Sequence, residues 1–195
     1  MKNIIFFITI VITTVFTAQY ASAQKDSSGV YKTAEDFQQR KLSYAINCSI
    51  EKHKINPNVL FNTTELKVNH RDSTYTLKKS EVFGYRACDG HEYKFVDNAE
   101  YAILNPGETL ILYFYQNPAY SSESDLPNPP AYFFSKDAAT PILLLTKYNL
   151  KAAFPDSHKF HDALEENFKE DKELADYDSF HNMYKLSRVM KNSLN

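Results

Sequence analysis

Between Glu65 and Gln116, apolar and polar residues alternate with a period of two, and turn-forming pairs interrupt the alternation at short intervals. This pattern restricts the chain more than any other feature. Alternation sends successive side chains to opposite faces of a strand, and closely spaced turns make each strand pair antiparallel with the one before it. Leu66 and Val68 alternate with Lys67 and Asn69, Arg71-Asp72 turns the chain, and Tyr75 and Leu77 continue on the return. Val82–Cys88 and His91–Val96 flank Asp89-Gly90, a pair suited to a two-residue hairpin loop whose central residues both take positive φ. Such a loop sets Cys88 opposite His91, Arg86 opposite Tyr93, and Gly84 opposite Phe95, with an aromatic ring filling the space over the glycine. Tyr101–Leu104, a Pro106-Gly107 turn and Leu110–Tyr115 complete six short strands in series. Tyr132–Phe134 and Ile142–Leu145 read as two more; the second is apolar on both faces, which predicts a central, buried place.

Helical signals flank these strands. Thr33, followed by Glu35 and Asp36, predicts a short capped helix over Ala34–Arg40. Leu42–Ile50 then reads as extended, with Leu42, Tyr44, Ile46, Cys48 and Ile50 on one face. Thr146 caps a helix through Phe154, ended by Pro155. Asp156 or Ser157 starts another, to about Lys169, with Phe160, Leu164 and Phe168 on one stripe. Asp171 starts the last, with Leu174, Tyr177, Phe180, Tyr184 and Met190 facing inward. The expected fold class is α+β: a short N-terminal helix, an antiparallel meander of six to eight strands, and two or three C-terminal helices, in one domain over residues 24–195. Residues 117–130 form a proline- and serine-rich loop between the meander and the last strands, longer than a plain connection requires.

Residues 1–23 carry the marks of a cleavable secretory signal: Lys2, an apolar run from Ile4 to Phe16, and Ala21-Ser22-Ala23 before Gln24. The apolar run is shorter than the ~20 residues of a comfortable membrane span, and no later run is longer. The expectation is a periplasmic or secreted protein with no membrane span after cleavage. In an oxidising compartment Cys48 and Cys88 are expected to pair; two buried free thiols are the competing reading. With 22 basic and 24 acidic residues well mixed, no basic stripe offers a nucleic-acid surface. Only 4 glycines leave little material for a phosphate-cradling loop, and no cofactor is expected.

Several groupings bear on chemistry. His158 and His161 lie one helical turn apart with Glu165 a turn further on, a face that could present two imidazoles and a carboxylate to zinc; a solvated helix face is the plainer reading. Cys88 and His91 flank the hairpin loop, and a thiol beside an imidazole is the minimum for a cysteine nucleophile, provided the thiol is free. Arg86 sits in an otherwise apolar strand, either stacked on aromatic rings or poised for an anionic ligand. Tyr113, Tyr115, Tyr120, Tyr132 and Phe134 surround the proline loop; Tyr120 and Tyr132 are the candidates for a partner surface.

Four stretches, Gly29–Phe37, Val82–Tyr85, Leu150–Asp156 and Leu174–Asp178, make the chain similar to uncharacterised exported proteins of Bacteroidota, a group with no known activity. The resemblance implies an extracytoplasmic address and no mechanism. The favoured expectation is a non-enzymatic binding or envelope-associated module whose partner is a protein or envelope component. The alternative is a small hydrolase using Cys88 and His91, or a metal at His158 and His161.

Overall fold

The computed structural model describes residues 26–51, 54–57, 63–116 and 131–194. The signal segment, Tyr120 and the proline loop lie outside the described residues. The chain opens with β1 (Ser27–Tyr31), α1 (Ala34–Gln38) and β2 (Ser43–Asn47). Thr33 Oγ1 accepts the Asp36 amide and closes the first turn of α1 as its sequence predicts. β3 (Lys54–Asn56), β4 (Glu65–His70) and β5 (Ser73–Lys78) follow, then β6 (Gly84–Arg86), β7 (Glu92–Val96), β8 (Ala99–Ile103), β9 (Ile111–Tyr115), β10 (Ala131–Ser135) and β11 (Leu143–Leu144).

The main sheet is eight-stranded and antiparallel, in the order β11-β10-β9-β8-β7-β6-β1-β2. From β6 to β11 it is the expected meander. The Glu65–Lys78 hairpin is not part of it: β4 pairs with β5 on one side and β3 on the other in a separate three-stranded sheet. A 3-10 turn over Lys79–Glu81 redirects the chain between the two sheets, and β1 takes the place beside β6. Alternation marks a strand but not the sheet to which it belongs.

β11 corrects a second expectation. It is an edge strand, with Leu143 41% and Leu144 49% exposed. An apolar run on both faces also suits a short edge, where the Asn149 side chain caps the Leu144 carbonyl.

The β6–β7 hairpin corrects the register. The Ala87 amide donates to His91 O, and Gly90 alone takes φ +88°, so the loop has three residues, Cys88-Asp89-Gly90. Arg86 therefore faces Glu92, Tyr85 faces Tyr93, and Gly84 faces Lys94. Gly84 is required by backbone approach rather than by an overlying ring: a Cβ there would lie 1.8 Å from the Tyr93 carbonyl oxygen.

The expected face from Leu42 to Ile50 also breaks. Tyr44 takes φ +53°, β2 is bulged opposite Gly29, and Ile50 is 81% exposed.

The C-terminal part supplies α2 (Lys147–Ala153), capped by Thr146, and α3 (His158–Asn167), whose Phe160, Leu164 and following Phe168 are fully buried. The expected helix from Asp171 is instead a 3-10 turn over Asp171–Ala175, a hairpin of β12 (Tyr177–Asp178) and β13 (Met183–Tyr184), and α4 (Lys185–Leu194). Asp178 Oδ1 accepts the amides of Phe180 and His181, a side-chain turn that competes with helix formation. Tyr177 and Phe180 point outward, Phe180 to 87% exposure.

Three apolar cores result among the described residues. α1 and the segment carrying Ala138 and Ile142 cover one face of the main sheet over Tyr31, Phe83, Ile103 and Tyr113. On the opposite face, α2 to α4 cover Leu112 and Phe134, while the small sheet covers Val30, Tyr85 and Phe95 through Leu66 and Val68. No helix among the described residues is long and apolar enough to cross a membrane.

Candidate functional site

Cys48 and Cys88 form a disulfide, with Cα atoms 5.7 Å apart, tying the end of β2 to the β6–β7 loop. In this state Cys88 carries no thiol, and the neighbouring His91 Nδ1 lies 3.2 Å from Asp89 Oδ1 at the exposed loop tip.

His158 and His161 sit on α3 with ring centroids 6.0 Å apart. His161 Nε2 lies 2.8 Å from the Phe154 carbonyl oxygen. The two oxygens of Glu165 accept from Lys147 at 2.7 Å and Lys151 at 2.6 Å, and those bonds hold its carboxyl well below the usual range, at about 2. The trio expected as ligands is thus spread over separate engagements: one imidazole on a backbone carbonyl, the carboxylate between two lysines.

Arg86 belongs to a buried ionic group that the expected register hides. Glu92, 3% exposed, accepts from Arg40 Nη1 at 2.7 Å and from the Tyr31 hydroxyl at 3.2 Å, and Arg86 Nη1 stands 3.7 Å away. Burial, then the Glu92 charge, raises the Tyr31 hydroxyl above its ordinary pKa. Beside Arg40 opens a cleft of roughly 320 Å³ between α1, the Gly107–Thr109 turn and Asp137-Ala138. On its Asp137-Ala138 side the polar groups are engaged by the backbone and a neighbour: Asp137 Oδ1 accepts the Ala139 and Thr140 amides, and Lys94 donates to the Ala138 carbonyl. Its walls carry Arg40 together with the carboxylates Glu108 and Asp137.

Tyr132 leads to a different arrangement. Register places Tyr85, Tyr93, Ala102, Phe114 and Tyr132 side by side across β6 to β10. The Tyr85 and Tyr93 rings stack at 4.9 Å, and those of Phe114 and Tyr132 lie 5.4 Å apart. Between these pairs stands Ala102, too small to continue the wall. The row runs where the helical cover ends and the small-sheet cover begins; Tyr93, Ala102, Phe114 and Tyr132 are all half-buried. Tyr184 extends it toward Tyr177, whose ring is 5.3 Å away and 56% exposed. Burial, then the neighbouring Tyr132 and Tyr177, raises the Tyr184 hydroxyl pKa.

Beneath the row, the Tyr85 hydroxyl donates to Glu100 Oε2 at 2.9 Å, and burial raises the Glu100 carboxyl above its usual range. Of the tyrosines and phenylalanines expected around the loop, Tyr113 and Phe134 are fully buried core, and Tyr115 stacks on Tyr101 on the other face. Tyr93 escapes a reading by sequence proximity to the loop, because only the strand order brings it into register with Tyr132; Phe114 stands between two of the expected tyrosines, and the strand pairing singles it out as the neighbour of Tyr132. Comparison with protein-family models, curated proteins and solved structures finds no match to this chain.

Proposed function

We propose that the protein is an exported, non-enzymatic binding module that engages a protein or envelope component through the Tyr93–Phe114–Tyr132 row. The observation that carries this reading is the row itself: Phe114 and Tyr132 on adjoining strands and Tyr93 in register with them beyond Ala102, all left half-buried between two covering layers. Rigid amphipathic rings supply contact area at low entropic cost, and tyrosine hydroxyls add hydrogen bonds at the rim of an interface. The signal-like residues 1–23 support the periplasmic or secreted address, and an oxidising compartment suits the Cys48–Cys88 bridge. Hydrolysis by Cys88 with His91 requires that bridge to be open.

The reading is tested by placing a photo-crosslinking amino acid at Tyr132 and, in a second strain, at Phe114, in the producing cell. Thr74, exposed on the small sheet, serves as the control position. A discrete adduct shared by positions 132 and 114 and missing at 74 is expected. Adducts that are absent at both, or the same at all three positions, remove the proposal.

A further inference from the structure

The two halves of the disulfide differ in what they hold. Cys88 is exposed in the β6–β7 loop, and this hairpin is anchored by β1 on one side and β8 on the other. Cys48 is half-buried just past β2, the edge strand, which is paired only with β1 and interrupted by a bulge. β2 holds to the interior through few side chains: Ile46 is the one it buries, outside the three cores, and Tyr44 lies half-buried against the small-sheet core. Within β2, Tyr44 occupies the left-handed region at φ +53°, a conformation unfavourable for a bulky residue. A strained edge strand with a single buried side chain is therefore closed by a covalent bond whose outer sulfur belongs to an exposed residue.

We infer that Cys88 is a site of thiol–disulfide exchange with an external dithiol of the Cys-X-X-Cys class, and that opening the bridge releases β2 alone. A thiolate of the dithiol attacks Cys88 Sγ, the S–S bond breaks, and Cys48 leaves as a thiolate that takes a proton from solvent. The second thiol of the dithiol, as its thiolate, attacks the first sulfur of its own pair and expels the Cys88 thiolate, which is protonated in turn. Two electrons pass to the protein, and the dithiol becomes a disulfide. Attack at Cys88 follows from access, since the incoming sulfur must approach from the side away from Cys48. The freed β2 uncovers the backbone edge of β1, a place where an extended strand can add. The bridge is thus a latch on one edge of the main sheet.

Two measurements on the full exported chain test this. In amide hydrogen exchange, the protein reduced with tris(2-carboxyethyl)phosphine and the Cys48→Ser/Cys88→Ser variant are compared with the oxidised protein. The expected result is exchange about tenfold or more faster over Ser43–Cys48, with β7 to β10 unchanged. Unchanged β2 amides, or loss of protection throughout, including a variant that does not fold, overturns the latch. In the second measurement, a thioredoxin-like protein whose second active-site cysteine is replaced by serine is the trapping probe. A mixed disulfide mapped to Cys88 is expected; an adduct on Cys48, or none, removes Cys88 as the exchange site.

Discussion

Replacing Glu92 with glutamine removes a buried negative charge that Arg40 and Arg86 both face. Taking away one partner of a buried ionic group leaves the others desolvated, and the expected loss is about 3 kcal/mol in urea denaturation. Lys78→Met, which breaks an exposed pair with Glu81, should leave the midpoint in place. Glu100 behaves in the opposite sense. Burial raises its folded-state pKa above the unfolded value, so the unfolded chain ionises first as pH rises and stability falls across the window just above the ordinary glutamate range. Glu100→Gln, whose amide oxygen still accepts the Tyr85 hydroxyl, should therefore be the more stable protein at pH 7, with the difference vanishing below about pH 4. Denaturation midpoints of both proteins between pH 4 and 7 check the sign. At this scale the sequence is readable where the interaction is local. Thr33 and Thr146 cap the helices their positions imply; the Cys48–Cys88 pair, 40 residues apart, was readable for another reason, as the chain has 2 cysteines. The Arg40–Glu92–Arg86 group was out of reach, because Arg86 faces Glu92 only in a register one residue away from the expected one and Arg40 reaches it from 52 residues earlier in the chain.

The hairpin turns of the small and main sheets are built from side chains that pay for their shape. Arg71 and Asp72 both adopt positive φ, at +47° and +61°, in a two-residue loop that favours Asn-Gly. Arg71→Asn combined with Asp72→Gly should raise stability by about 1 kcal/mol, read from the thermal midpoint. Gly84→Ala should do the reverse by roughly 3 kcal/mol or more, because the added methyl overlaps the Tyr93 carbonyl and the paired strands cannot separate without losing their bonds. Strand positions followed from period two, yet Asp89-Gly90 pointed to a loop one residue too short. Only Gly90 needs positive φ in the loop observed, and an Asp-Gly pair suits both loop lengths. The segment after Asp171 misleads for a related reason. Its apolar spacing matches a helix, while Asp178 closes a turn on the amides of Phe180 and His181, leaving Phe180 outside.

Across the whole molecule, one sheet is shared by two covering layers on the same face, and the gap between them is where the aromatic row is left half-buried. The α+β class and the meander were legible because turn spacing and alternation are local properties of the chain. The division into two sheets, and with it the row, depends on which strand lies next to which, a choice made by core packing. Radical footprinting of the isolated, oxidised monomer tests the account most directly, since every tyrosine reports on its own exposure. Tyr93, Tyr132 and Tyr177 should be modified rapidly, while Tyr31 and Tyr113 stay protected. If Tyr93 and Tyr132 are instead as protected as Tyr113, the row is ordinary core and the binding surface proposed for this protein does not exist.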